Sequence, residues 1–161
     1  MNRILTLLVA VALVFGLASC APGFTPEAQY SLTEEELNVE GVVKAFTQYE
    51  TVAFEGTIEV PDNETLTIPA GKTLVGYGSD KSIIEGNVAG TAGGTLDHVT
   101  VRFDPDDEFD AWPSGRTSAV TFAQGENGGK LIGSVVTNAR NGVYANQAMN
   151  IEIKDCEIHH N

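Results

Sequence analysis

Leu74 and Leu96 stand 22 residues apart, each inside a short run of branched residues closed by Gly, Asn or Asp, and the interval recurs along the chain. Thr121-Phe122-Ala123 matches Val143-Tyr144-Ala145 at the same offset. Ser134-Val135-Val136-Thr137 matches Asp155-Cys156-Glu157-Ile158 at an offset of 21. Leu96 to Ile132 spans 36, one unit of 21 with 15 residues to spare, and the surplus has a home in the polar stretch 104–117. Periods of this length mark stacked architectures, in which one supersecondary unit buries its apolar face only against its neighbours.

The content of each unit selects the kind of stack. Runs rich in Val, Ile, Leu, Thr and Phe fall at 51–54, 57–60, 65–68, 72–76, 82–85, 95–103, 119–123, 130–137, 143–145 and 150–158. The chain has 17 Gly, and its Pro residues lie between runs rather than within them, an all-β pattern. A unit of 21–22 residues holding several strands of three to five residues has the length of one coil of a parallel β-helix. Asn141-Gly142 is the nearest approach to a hairpin turn, and it sits at the equivalent of a coil corner. One segment reads differently. Thr33 and Glu36 have capping-box spacing, and Leu37, Val39, Val42, Val43 and Phe46 recur on one helical face, so 33–49 is expected to be a single amphipathic helix.

Two stretches carry a family resemblance. The first is Thr65-Leu66-Thr67-Ile68-Pro69-Ala70-Gly71-Lys72-Thr73-Leu74-Val75-Gly76-Tyr77-Gly78, which runs into Lys81-Ser82-Ile83-Ile84-Glu85-Gly86. The second is Asn141-Gly142-Val143-Tyr144-Ala145, leading to residues 150–161. With the helix before them, these resemble the right-handed parallel β-helix proteins of the pectate-lyase-like superfamily over roughly 35–161. The resemblance implies an all-β solenoid closed by an N-terminal capping α-helix. It does not choose among the lyases, hydrolases, epimerases and non-catalytic members of that superfamily. In such a stack Val99, Val135 and Cys156 are expected to form one inward ladder, and Asn138 and Asn161 to occupy equivalent corners. No capping segment follows the run that ends at Asn161, so the expectation is either a truncated piece of a longer solenoid, the favoured reading, or a last coil that pairs with another molecule.

The N-terminus carries a different message. Met1, Asn2 and Arg3 precede an apolar stretch from Ile4 to Leu17, broken only by Thr6 and Gly16. Its 14 residues are fewer than the roughly 20 that span a bilayer and suit a secretory signal. Leu17-Ala18-Ser19-Cys20 resembles the lipobox of bacterial lipoproteins, which implies removal of 1–19 and lipidation of Cys20. Residues 20–32 are then a lipidated Cys and flexible tether, and 33–161 the capping helix with the first coils. The expected location is the bacterial cell envelope, outside the cytoplasm. Ala21 after the Cys resembles the sorting pattern for the outer membrane in a host with two membranes. With Cys20 lipidated, Cys156 has no internal disulfide partner.

Charge narrows the partners. The whole chain has 9 basic and 22 acidic residues, and removal of 1–19 costs it only Arg3, leaving a net charge of −14. Such a molecule repels nucleic-acid phosphates and anionic lipid headgroups, so neither is an expected partner, and membrane attachment falls to the acyl chains. The acidic loop Asp104, Asp106, Glu108 and Asp110 offers hard oxygens to Ca²⁺, although Phe109 occupies the position where an EF-hand loop needs Gly. The plainer reading of that loop is a solvated insertion between coils. Trp112 could stack on a sugar ring or anchor the loop to the solenoid. Of His159 and His160, alternation along a strand lets at most one face a groove, and His98 lies on a strand beside Asp97. Arg102, Arg116 and Arg140 are spread over successive coils. No set of three carboxylates with an Arg matches the lyase motif, so no catalytic residue is assigned.

These residues lead to an exported β-helix, membrane-bound through its lipid, that binds or processes polysaccharide. Any catalysis would be that of a polysaccharide lyase or glycoside hydrolase. The alternative is a structural or adhesive surface solenoid without catalysis.

Overall fold

The computed structural model describes residues 24–90, 93–104, 118–122, 125 and 127–161. The chain enters as a two-residue strand, β1 (Tyr30–Ser31), passes a 3₁₀ turn (Glu34–Glu36) and a short helix, α1 (Val39–Phe46), and then begins to wind. The first coil is β2 (Thr51–Phe54), β3 (Gly56–Glu59) and β4 (Leu66–Ile68). The second is β5 (Thr73–Gly76), β6 (Ser82–Glu85) and β7 (Val88–Gly90), and the third β8 (Thr95–Asp97), β9 (Thr100–Arg102) and β10 (Ser118–Phe122). The fourth is β11 (Lys130–Ile132), β12 (Val135–Thr137) and β13 (Asn141–Ala145), and β14 (Glu152–Lys154) and β15 (Glu157–His159) open a fifth.

Strands of equal rank stack into three parallel sheets. Sheet A runs β1-β2-β5-β8-β11-β14, sheet B β3-β6-β9-β12-β15, and sheet C β4-β7-β10-β13. The protein is a parallel β-solenoid with one helix near the start of the wound part. Each sheet sends one column of aliphatic side chains inward. Val52, Leu74, Leu96, Leu131 and Ile153 stack in sheet A, at steps of 22, 22, 35 and 22 residues. Ile58, Ile84, Val101, Val136 and Ile158 do so in sheet B, and Leu66, Val88, Val120 and Val143 in sheet C. All but the last member of each column are buried. At about 1.5–3 kcal/mol for each buried aliphatic side chain, these columns are the main force holding the coils together.

The surplus in the 35-residue step falls between β9 and β10, where the expected insertion was placed. Several registers differ from expectation by one residue. Val120, not Thr121, pairs with Val143, an offset of 23, and Leu96 pairs with Leu131 rather than Ile132. The inward ladder expected at Val99, Val135 and Cys156 instead runs through Ser82, Val99, Ser134 and Cys156, the residues just before paired strand positions in sheet B. Val135 is partly exposed and Val136 points inside. The two buried hydroxyls are used: Ser82 Oγ donates to the Phe54 carbonyl at 2.6 Å, and Ser134 Oγ donates to Ile132 at 2.7 Å. The Cys156 thiol, half-buried, faces the Leu131 carbonyl at 3.3 Å.

Corners explain why long runs read as single strands are in fact split. Between sheets A and B the chain bends at His98, Gly133 and Asp155, with φ of 51°, 53° and 54°, one above another. This left-handed bend divides 95–103, 130–137 and 150–158 into two strands each. His98 is therefore a corner residue, not a strand residue. A second left-handed column holds Asn138 and His160. Asn161 lies one position on and bridges coils, its Oδ1 accepting from the Ala139 amide at 3.0 Å. Asn141-Gly142 is part of β13, not of a corner.

The cap also differs in detail. Thr33 and Glu36 form the expected capping box, but it closes the 3₁₀ turn. The helix proper begins after Asn38, whose side chain accepts from the Gly41 amide at 2.9 Å. Val42, Ala45 and Phe46 cover the first coil, while Val43 is 49% exposed. The stretch 24–32, expected as the end of a flexible tether, lies on the solenoid. Gln29 Oε1 accepts from the Glu50 amide at 2.6 Å, and β1 pairs with β2.

Candidate functional site

A solenoid with its apolar residues inside presents three outer faces, and that of sheet B carries a polar or charged residue at the same position in every coil. Alternation places Glu59, Glu85, Arg102, Thr137 and His159 in one outward column, one residue per coil and therefore about 4.8 Å apart. Arg102 donates to Glu85 Oε1 through Nε at 3.0 Å and Nη2 at 2.6 Å. Thr137 Oγ1 lies 3.5 Å from His159 Nδ1. The column runs along the axis from two acceptors, Glu59 and Glu85, to the donor-bearing Arg102, Thr137 and His159.

At its strand ends the face opens into a cleft of about 460 Å³ lined by Glu59, Pro61, Asp62, Glu85, Phe103 and Asp104. Tight turns build this rim. Pro61 pre-sets the turn whose Glu64 amide donates to the Pro61 carbonyl at 2.8 Å, and Gly86 takes φ of 127° where a Cβ would strike Val60. The arrangement suits hydrogen-bonding chemistry: carboxylates accept from hydroxyl or ammonium donors, and the Arg102–Thr137–His159 end donates.

Of the residues expected to bind Ca²⁺, Asp104 stands on this rim, while Asp106, Glu108 and Asp110 lie outside the described residues. So do Trp112, Arg116 and the expected lipidation site Cys20. Among the described residues no group of three or more His, Cys, Asp or Glu is placed to hold a metal ion. Arg102 and Arg140 do not share a column, since Arg102 stacks on Glu85 and below Thr137 while Arg140 precedes β13.

The histidines depart from expectation. Left-handed backbone at His160 breaks the alternation that should have separated it from His159, and the two rings meet edge to face with Nδ1 atoms 2.7 Å apart. At the A–B corner of the third coil, His98 Nδ1 lies 2.5 Å from Asp97 Oδ1, and Phe24 stacks on the imidazole at 3.7 Å with an interplanar angle of 4°. Nothing in the sequence around Phe24 signalled that contact, which joins residues 74 positions apart. Comparison of the chain with protein-family models, with curated proteins and with solved structures finds no match.

Proposed function

We propose that this is an exported, lipid-anchored solenoid that binds polysaccharide along the outer face of sheet B. The observation that carries the reading is the column Glu59–Glu85–Arg102–Thr137–His159, which repeats polar groups at a fixed step and ends in an acidic cleft. A polymer with hydroxyls along its length can satisfy successive coils at once, so weak individual contacts add through multivalency. The excess of carboxylates favours neutral or amine-bearing glycans. A polyuronate would meet repulsion unless a divalent cation such as Ca²⁺ bridged the two anions. The lipidated Cys20 and a place in the cell envelope complete the proposal.

The test is titration of the purified protein with a neutral glucan, an amine-bearing glycan and polygalacturonate, the last with and without Ca²⁺. Saturable binding to either of the first two is expected, with Glu85→Gln and Glu59→Gln each weakening it by about tenfold. Absence of saturable binding to every polymer sinks the proposal and leaves the structural-solenoid alternative.

A further inference from the structure

A regular strand sends neighbouring side chains to opposite faces, so two adjacent histidines on one strand cannot close on a single ion. Here the backbone removes that obstacle. His159 is the last residue of β15 and points outward in line with Thr137, whereas His160 turns into the left-handed region at φ of 55°. The turn swings the second ring back onto the first, and the two Nδ1 atoms come within 2.7 Å. The frame beneath them is tied to the preceding coil. The His160 carbonyl accepts from the Asn138 amide at 3.2 Å, and Asn161 Nδ2 donates to the His159 and Val136 carbonyls at 3.0 and 3.2 Å. Both histidines nonetheless stand exposed to solvent.

The contact between the two imidazoles uses one proton, with one Nδ1 donating and the other accepting. When that proton moves through solvent to Nε2 of its own ring, two lone pairs are left side by side. With metal–nitrogen bonds of about 2.0–2.1 Å, nitrogens 2.7 Å apart subtend about 80° at a metal ion. Tetragonal cations ask for about 90° between neighbouring ligands. Tetrahedral ones ask for about 109°, which needs the nitrogens about 3.4 Å apart. The spacing therefore favours Cu²⁺, then Ni²⁺, over Zn²⁺, and the Irving–Williams order also puts Cu²⁺ first. The rings now meet at 88°, but the terminal torsion of His is soft and lets both lone pairs turn onto one point. Thr137 Oγ1, 3.5 Å from His159 Nδ1, adds a hydroxyl beside the pair for a metal-bound water. The net charge of −13 draws cations toward the molecule. We propose that His159 and His160 form a two-nitrogen site for a borderline divalent cation, Cu²⁺ foremost, with water in the remaining positions. The site depends neither on the glycan reading nor on lipidation.

The test is titration of the purified protein, its thiols blocked with N-ethylmaleimide, with Cu²⁺, Ni²⁺ and Zn²⁺ near neutral pH. Calorimetry reads all three, and electron paramagnetic resonance reads Cu²⁺. One Cu²⁺ per chain is expected, with the nitrogen couplings of two imidazoles, and affinity falling in the order Cu²⁺, Ni²⁺, Zn²⁺. His159→Asn and His160→Asn should each weaken Cu²⁺ binding by about a hundredfold, since each removes one of two linked ligands. Asn at 160 keeps the left-handed bend, as Asn138 does one coil earlier, and circular dichroism checks that the solenoid is intact. His98→Asn removes the remaining one of the three histidines and should leave binding unchanged. No saturable Cu²⁺ binding, a signal from one imidazole or none, equal loss through His98→Asn, or tighter binding of Zn²⁺ than of Cu²⁺ overturns the proposal.

Discussion

Arg102 reaches across one coil of sheet B to hold Glu85 with two guanidinium nitrogens on a single carboxylate oxygen, at 3.0 and 2.6 Å. Both side chains are about one-quarter to one-third exposed, so water screens the pair without abolishing it. A double-mutant cycle on Glu85→Ala and Arg102→Ala is expected to give a coupling of about 1 kcal/mol. That coupling should shrink as salt is raised to about 1 M, where the Debye length is about 3 Å. A salt-independent value would mean that the pair acts through packing.

The inward columns make a graded prediction. Leu74 is fully buried between Val52 and Leu96, and Leu74→Ala is expected to cost about 2–5 kcal/mol by urea unfolding. Ile153 occupies the equivalent place in the last coil but is 47% exposed, so Ile153→Ala should cost less than about 1.5 kcal/mol. Equal costs would show that the two sites share one environment in solution.

The cap carries a pH dependence with two limbs. The Thr33 amide, at 3.0 Å, and then the Tyr30 hydroxyl, at 2.7 Å, hold the Glu36 carboxyl below its ordinary value of 4.5. A lowered carboxylate stabilises the fold above 4.5 and loses that contribution as pH falls through its folded value. The same hydrogen bond to Glu36 raises Tyr30 above 10.0, a contribution present below 10.0 and lost as pH rises through the folded value. Near-ultraviolet circular dichroism of the stacked Tyr30–Tyr49 pair should change in both limbs. Glu36→Gln should flatten the acid one; an unchanged acid limb would assign it to another group.

Gly90 in β7 gives the Phe122 ring its room, since a Cβ there would lie 2.6 Å from the ring edge. Phe122 is 1% exposed and cannot swing away freely. Gly90→Ala is expected to cost about 1–3 kcal/mol, and clearly less in a Phe122→Leu background, as judged by thermal unfolding of the four proteins. Equal costs in both backgrounds would place the strain elsewhere.

Much of the solenoid was legible because its core is written as branched residues at a constant step. Leu74 and Leu96 do pair, and the surplus residues do leave between β9 and β10. Register was less legible. Strands of three residues give few matches to align, and a shift by one looks almost as good when neighbours such as Val135 and Val136 are both apolar. Strand β7 escaped notice because Val88-Ala89-Gly90 holds a single branched residue, and only its column, between Leu66 and Val120, identifies it. The helix seemed longer because the capping box at Thr33 and the cap at Asn38 both read as starts. As for the candidate site, Glu59, Glu85, Thr137 and His159 are unremarkable in sequence. Only winding at a fixed period lines them up with Arg102.

The long step between Leu96 and Leu131 has a practical meaning. Coils recognise one another chiefly through their strand triplets, and β9 and β10 on either side of the B–C junction both keep their pairing with the coils above and below. That junction is a natural grafting position. A lineage, or an engineer, can lengthen or rewrite the segment there to acquire a new recognition element without renegotiating a single rung.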